Sequence, residues 1–229
     1  MRLTVLLTAA CIAAGVASAA TVCVDGGTMA SYQALGAGGC TIGDKLFSSF
    51  VYGSTAHGTG VAVPNTQVFL TTDNSNPYNP GIVFSSSGWV VASASARANS
   101  FVDSSIGFTV TVLSGSPIIE DASLTLSSFS VSGTGVVDIT ETINPSGTQL
   151  QVDGVGPLVS HKNFAPTSSV SVLKDLLIAV PRLGTTSGGS GRVNSFEENF
   201  SQITPEPVSS ALIGLGLLAV GLWRRGRRA

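Results

Sequence analysis

From Ile106 to Val112 the apolar residues Ile106, Phe108, Val110 and Val112 alternate with Gly107, Thr109 and Thr111. A period of two is what successive side chains follow on an extended backbone, where neighbours point to opposite faces. The segment therefore reads as a half-buried antiparallel strand. The same period recurs along the chain: Val137, Ile139 and Ile143 share a face interrupted by Glu141, and Ala92, Ala94, Ala96 and Ala98 alternate with Ser93, Ser95 and Arg97 in the run from Trp89 to Ala98. Between these runs stand turn-forming clusters: Asp73 to Pro80, Gly115-Ser116-Pro117, Gly133-Thr134-Gly135, and Asn144-Pro145-Ser146-Gly147. Short strands separated by frequent turns predict an all-β, antiparallel β-sandwich.

Two stretches test that pattern. In the run from Leu124 to Val131 the apolar phase passes from Leu124 and Leu126 to Phe129 and Val131, a slip that a β-bulge near Ser127 and Ser128 absorbs. From Val170 to Val180 a helix and a strand compete, because Leu173, Leu176, Leu177 and Val180 fit the first and Val170, Val172, Leu176, Ile178 and Val180 the second. The β-branched content favours the strand. That register puts Lys174 on the apolar face, for which the sequence offers no reason beyond an edge or a bulge. Gly184 to Gly191 reads as a loop before a further strand-like segment from Val193 to Phe200.

Both ends of the chain carry address-like segments. Met1 to Ala19 has the form of a secretory signal: Arg2, an apolar run from Leu3 to Val16, then Ala17-Ser18-Ala19 in the A-x-A pattern. Cleavage is expected before Ala20. At the other end Pro205-Glu206-Pro207 precedes a charge-free apolar run from Val208 to Trp223, followed by Arg224, Arg225, Arg227 and Arg228. A helix over those sixteen residues spans about 24 Å at about 1.5 Å per residue, a little short of the hydrocarbon core of about 30 Å; snorkelling arginines and local thinning make up the difference. The arginines put the end of the chain on the cytoplasmic side. Prolines fix two φ angles and remove two donors, so the membrane helix begins only after Pro207. The expected organisation is a signal peptide (1–19), a β-sandwich ectodomain (20–200), a tether with the Pro-Glu-Pro motif (201–207), a single membrane helix (208–223) and a basic cytoplasmic end (224–229).

Pro-Glu-Pro, one membrane helix and an arginine cluster, in that order, resemble the C-terminal region of the PEP-CTERM proteins. The segments from Gly39 to Tyr52 and from Asp121 to Thr142 also look like other ectodomains of that family. The resemblance implies an exported protein recognised by an exosortase, a membrane-embedded cysteine transpeptidase that cleaves near the tripeptide and passes its substrate to a further acceptor. It also implies a destination at the cell surface or outside the cell. An unprocessed membrane anchor has the same topology.

Between the two end segments the chain keeps Cys23 and Cys40, Cys11 leaving with the signal. In an oxidising compartment two cysteines pair, so a Cys23 to Cys40 disulfide is expected, two free thiols being the alternative. Residues 20–204 carry six basic side chains against twelve acidic ones, with no basic patch to hold nucleic acid. No nucleophile elbow, phosphate loop, dinucleotide fingerprint or zinc motif is present, and the expectation is a protein with neither enzymatic activity nor cofactor. His57 and His161 read as loop histidines, and the adjacent pairs Glu120-Asp121 and Glu197-Glu198 as solvated carboxylates, since strand neighbours face opposite ways. Asp73, Asn74, Asn76 and Asn79 could offer oxygens to calcium but read as turn formers, and no metal site is assigned. Trp89, with Tyr52 and Tyr78, is a candidate stacking platform for sugar rings, against core packing for Trp89. Two functions stay open: a structural or adhesive component of an extracellular or biofilm matrix, which the family resemblance favours, and a surface-tethered carbohydrate-binding module with an exopolysaccharide as partner.

Overall fold

The computed structural model describes residues 21–113, 118–184 and 186–202. The expected signal peptide, the Gly115 to Pro117 turn, the Pro-Glu-Pro motif, the membrane helix and the terminal arginines lie outside the described residues. Among those described, the strands are β1 (Thr21–Val22), β2 (Gly27–Thr28), β3 (Cys40–Ile42), β4 (Lys45–His57), β5 (Phe69–Asp73), β6 (Gly81–Ser85) and β7 (Val90–Ser93). Then follow β8 (Ser100–Val112), β9 (Ile119–Gly133), β10 (Val136–Asn144), β11 (Thr148–Asp153), β12 (Val159–Thr167), β13 (Ser169–Val180) and β14 (Gly189–Gln202). One sheet has the order β1-β3-β4-β8-β13-β10-β11, the other β12-β9-β14-β6-β5-β2 with β7 also beside β14. Among the described residues only β1 and β3 pair in parallel, and every other pairing is antiparallel.

In β8 and β13 the inward set is the one the alternation names, except that Val112 at the end of β8 is only half-buried. In β8, Val102, Ile106, Phe108 and Val110 are buried, and in β13 Val170, Val172, Leu176, Ile178 and Val180. These faces meet the inner face of the second sheet through an aromatic column. Phe108 of β8 lies 5.8 Å from Phe84 of β6 and 6.2 Å from Phe200 of β14, centroid to centroid, and Phe84 stacks on Phe196 at 5.1 Å. Such ring contacts add to the area term that already favours burying each phenyl group. The result is an all-β, β-sandwich-like fold of two packed sheets.

The ambiguous segment 170–180 is strand throughout. The phase slip in β9 coincides with a register shift against β14, where Ser195 lies opposite Ser128 and Glu197 opposite Thr125. The alanine alternation after Trp89 misleads, however. Strand β7 stops at Ser93, Ala92, Ala94 and Ala98 are exposed, and the inward residue is Val91. Alanine buries too little area to fix a face, and Ala96 is instead drawn in by the loop beyond, its N–H donating to Ser187 O and its carbonyl accepting from Leu183 N and Gly184 N. Strand β14 runs on to Gln202, so Ser201 and Gln202 belong to the sheet rather than to the tether.

A short helix, α1 (Met29–Gln33), follows β2. Thr28 caps it by accepting from Ser31 N at 3.2 Å, and Met29 and Tyr32 turn inward, Tyr32 edge-on to Phe50 at 5.1 Å. Helix and flanking turns lie within the loop closed by the Cys23–Cys40 disulfide. The bridge joins the end of β1 to the start of β3, beside a Cys23 N–H to Thr41 O hydrogen bond of 3.0 Å. So small a helix cannot hold itself together in water; the disulfide and the contact with Phe50 hold it. With a sequence separation of 17, the bridge stabilises by about 3 kcal/mol in the chain-entropy model. Urea unfolding of oxidised and reduced protein should therefore differ by an amount of that size, and coincident curves would show that the bridge is energetically idle.

Candidate functional site

The residues expected to form a sugar platform are not brought to one surface. Trp89 is 0 % exposed and packs 5.5 Å from Phe196. No ligand can reach its faces, so the platform reading is corrected: Trp89 is core. Tyr52, half-buried on β4, donates its hydroxyl to Val63 O at 3.0 Å and lies 3.3 Å from Ser104 Oγ. Tyr78 is exposed in the β5–β6 connection of the other sheet. In that connection Asp73 accepts from Ser75 N at 3.0 Å and Asn76 from Tyr78 N at 3.0 Å, the self-bonding of turn residues. Among the described residues no cluster of three or more His, Cys, Asp or Glu side chains is placed to hold a metal.

One cluster of polar groups is hidden from the sequence because it lies inside the sandwich. Lys174 of β13 and Glu141 of β10 are directly opposite in register and both point inward, as does Glu198 of β14 from the facing sheet. All three are fully buried or nearly so, at 0 %, 1 % and 0 % exposure. The Lys174 amine contacts the Glu141 carboxylate, lies 2.6 Å from Glu198 Oε2, and sits 5.9 Å above the centre of the Phe108 ring. Glu141 Oε1 and Glu198 Oε1 have no hydrogen-bond partner. Glu198 is thus not a solvated member of an acidic pair. Two carboxylates against one amine cannot all be ionised cheaply in a dry core. Burial pushes Glu198 up to about 7 against the pull of Lys174, and pulls Lys174 below the usual lysine range.

A second polar cluster holds the end of β14. Gln202 Nε2 donates to Asp44 Oδ1 at 2.8 Å, and the same oxygen receives the buried Lys45 amine at 3.1 Å. Ser201 donates both its N–H, at 3.3 Å, and its hydroxyl to Asp121, and His161 Nε2 of the edge strand β12 lies 3.3 Å from Asp121 Oδ2. Serine, aspartate and histidine meet here in an order unlike that of a nucleophilic triad, in which the imidazole stands between the other two. The carboxylate takes the middle place and ties three strands together. His57 stacks on Phe101 at 5.7 Å on the outer face of the first sheet.

That outer face also carries carboxylates. Asp103 and Asp175 are diagonal neighbours on β8 and β13, and burial, together with the adjacent Asp103 carboxyl, holds Asp175 up at about 6. One sheet edge along, Asp138 accepts from Gln151 Nε2 at 2.9 Å. Asp138, Gln151 and Asp153 line a pocket of about 240 Å³ with Val131, Val136 and Val155. Asp153 already accepts from Val155 N at 2.7 Å and from Gly156 N, so its carboxylate serves the turn.

No family model and no curated protein matches the chain. Among solved structures, TmCBM61 in complex with β-1,4-galactotriose aligns at TM-score 0.28 and 9 % identity, over 67 % of this chain and 88 % of that one. A GH31 α-xylosidase from Xanthomonas citri aligns at TM-score 0.18 and 10 % identity, over 66 % of this chain and 23 % of that one. At such scores neither carries an argument about fold or ligand.

Two outcomes follow from the site geometry. Between the ordinary aspartate range and about 6, the folded chain binds more protons at Asp175 than the unfolded chain does, so this group's contribution makes stability fall as pH rises through that window. Asp175→Asn should therefore gain on wild type between about pH 4 and about pH 7 in urea unfolding; a difference constant with pH would contradict the raised Asp175 value. Trp89→Ala should cost about 3–5 kcal/mol by the same measurement, whereas a solvent-facing stacking residue would cost far less.

Proposed function

We propose that this chain is an exported cell-envelope protein whose Pro205-Glu206-Pro207 tail is processed by an exosortase, and whose ectodomain is a structural or adhesive component of the extracellular matrix. The single observation that carries the reading is the Cys23–Cys40 disulfide, which fits an oxidising compartment and lies shortly after the expected signal cleavage before Ala20. Three further features support it. The sorting tripeptide follows the last residue of β14, Gln202, by only three positions. That strand end is fastened by Asp44 and Asp121, so the ectodomain holds its shape up to the start of the tail. The Asp103–Asp175 pair and the Asp138–Asp153 pocket stand without a nucleophile or a histidine beside them in the described contacts, and we assign the ectodomain no enzymatic role. A carbohydrate-binding module is the weaker reading once Trp89 is committed to the core.

Replacing Pro205, Glu206 and Pro207 with alanine tests the sorting reading. Prolines keep the segment extended and poor in donors, ready for attack by a transpeptidase, whereas alanines let the membrane helix grow through residues 205–207. In a host with its exosortase, export should persist while full-length protein accumulates in the membrane. Mass spectrometry of C-terminal peptides reads the result. Wild-type protein that retains Arg228 and Ala229 would leave the tail as an anchor only.

A further inference from the structure

From the buried triad we infer that Lys174 and Glu141 are joined by an intramolecular amide bond, formed autocatalytically between Lys174 Nζ and Glu141 Cδ with Glu198 carrying the proton. Four observations bear on it. The two side chains are directly opposite across β10 and β13 and converge inward. The amine contacts the Glu141 carboxylate, so nucleophile and electrophile are already together. Glu198 reaches the amine from the facing sheet at 2.6 Å, a hydrogen-bonding distance suited to proton transfer. Lys174 lies over the Phe108 ring, and Ile139, Ile143, Leu176 and Phe200, each two positions along the same inward faces, are all buried.

The chemistry balances without a co-reactant. With the amine neutral and Glu141 protonated, the nitrogen lone pair attacks Cδ and the carbonyl electrons move to oxygen, giving a tetrahedral intermediate. The Glu198 carboxylate takes one proton from the attacking nitrogen and returns it to the hydroxyl on Cδ. That Cδ–O bond breaks with its electron pair, water departs, the carbonyl re-forms and the amide remains. Nothing is oxidised or reduced, and Glu198 ends as it began.

In water such condensation is opposed chiefly by ionisation of the acid and the amine. Burial removes that opposition, because the neutral pair is the cheaper state in a dry core, and burial draws the Lys174 amine below the usual lysine range. Juxtaposition of the reacting groups replaces a bimolecular encounter by an effectively unimolecular one. The product replaces two ionisable groups in the dry core by one neutral amide. Once made, the bond is shielded from the water that would hydrolyse it. It would tie β10 to β13 covalently, independently of how the tail is processed.

The bond is tested on the full chain as purified, with the disulfide reduced, the protein denatured and digested with trypsin. Linkage blocks cleavage after Lys174 and yields a branched peptide joining residues 98–162 to residues 163–182, lighter than the two together by one water. Fragmentation should place the branch at Glu141. Separate peptides 163–174 and 175–182 as the main products would overturn the inference, and a branch at Glu198 or elsewhere would overturn the assignment to Glu141. The wild-type digest decides the bond by itself, whether or not any variant folds. Glu198→Gln, which keeps size and shape, should restore cleavage after Lys174; linkage at the wild-type extent in that variant would remove Glu198 from its role in proton transfer.

Discussion

The Lys174 amine, the Glu141 carboxylate and the Glu198 carboxylate meet at the centre of the sandwich, and the rest of the structure accommodates that meeting. Two of the three belong to neighbouring strands of one sheet and the third to the other, so the contact fixes both the register of β10 against β13 and the position of β14 across from them. A one-residue slip in either pairing would turn Glu141 or Lys174 to the opposite face. That leaves a buried charge unpaired, at a cost of about 3–5 kcal/mol. Apolar residues alone tolerate a two-residue slip, which keeps each face, more readily, since one aliphatic neighbour then replaces another at small cost. Polar groups in the interior thus specify an arrangement that hydrophobic area only favours.

Around that centre the remaining devices close the ends and edges. The Phe108, Phe84, Phe196 and Trp89 rings continue the core along β6 and β14. At one end the disulfide retains α1 and the short strand β1 against β3. At the chain's exit from β14, Asp44 and Asp121 bind Gln202 and Ser201, while Lys45 is buried beneath Asp44, its amine drawn below the usual lysine range by burial and partly restored by that carboxylate. Strand β12 borders the second sheet with a largely exposed face and includes Pro166, which cannot donate to a further strand and so protects the edge.

Where sequence and structure part, the reason has a physical form. Where large or β-branched residues alternate, as in β8 and β13, period and burial agree. Where the alternating residue is alanine, as after Trp89, the area at stake is too small to hold a strand, and a loop takes over. The slip in β9 is readable because its apolar phase visibly changes sides. Glu141 and Lys174 each stand out as exceptions on an apolar face, yet no local rule connects residues 33 positions apart. A solvated Glu198 follows only if neighbouring carboxylates share one fate; in a strand they take opposite faces, and the inner one needs a partner.

The sequence by itself determined the strand character of the chain and the cysteine pair, because periodicity and composition are local properties of the chain. Only the tertiary structure decided which polar side chains were to be buried and with whom. Pairing Lys174 with Glu141 depends on the order of strands in a sheet, and bringing Glu198 to them depends on one sheet facing another. Both are set by contacts between segments distant in sequence. The same non-local packing took Trp89 away from any ligand and made it part of the core.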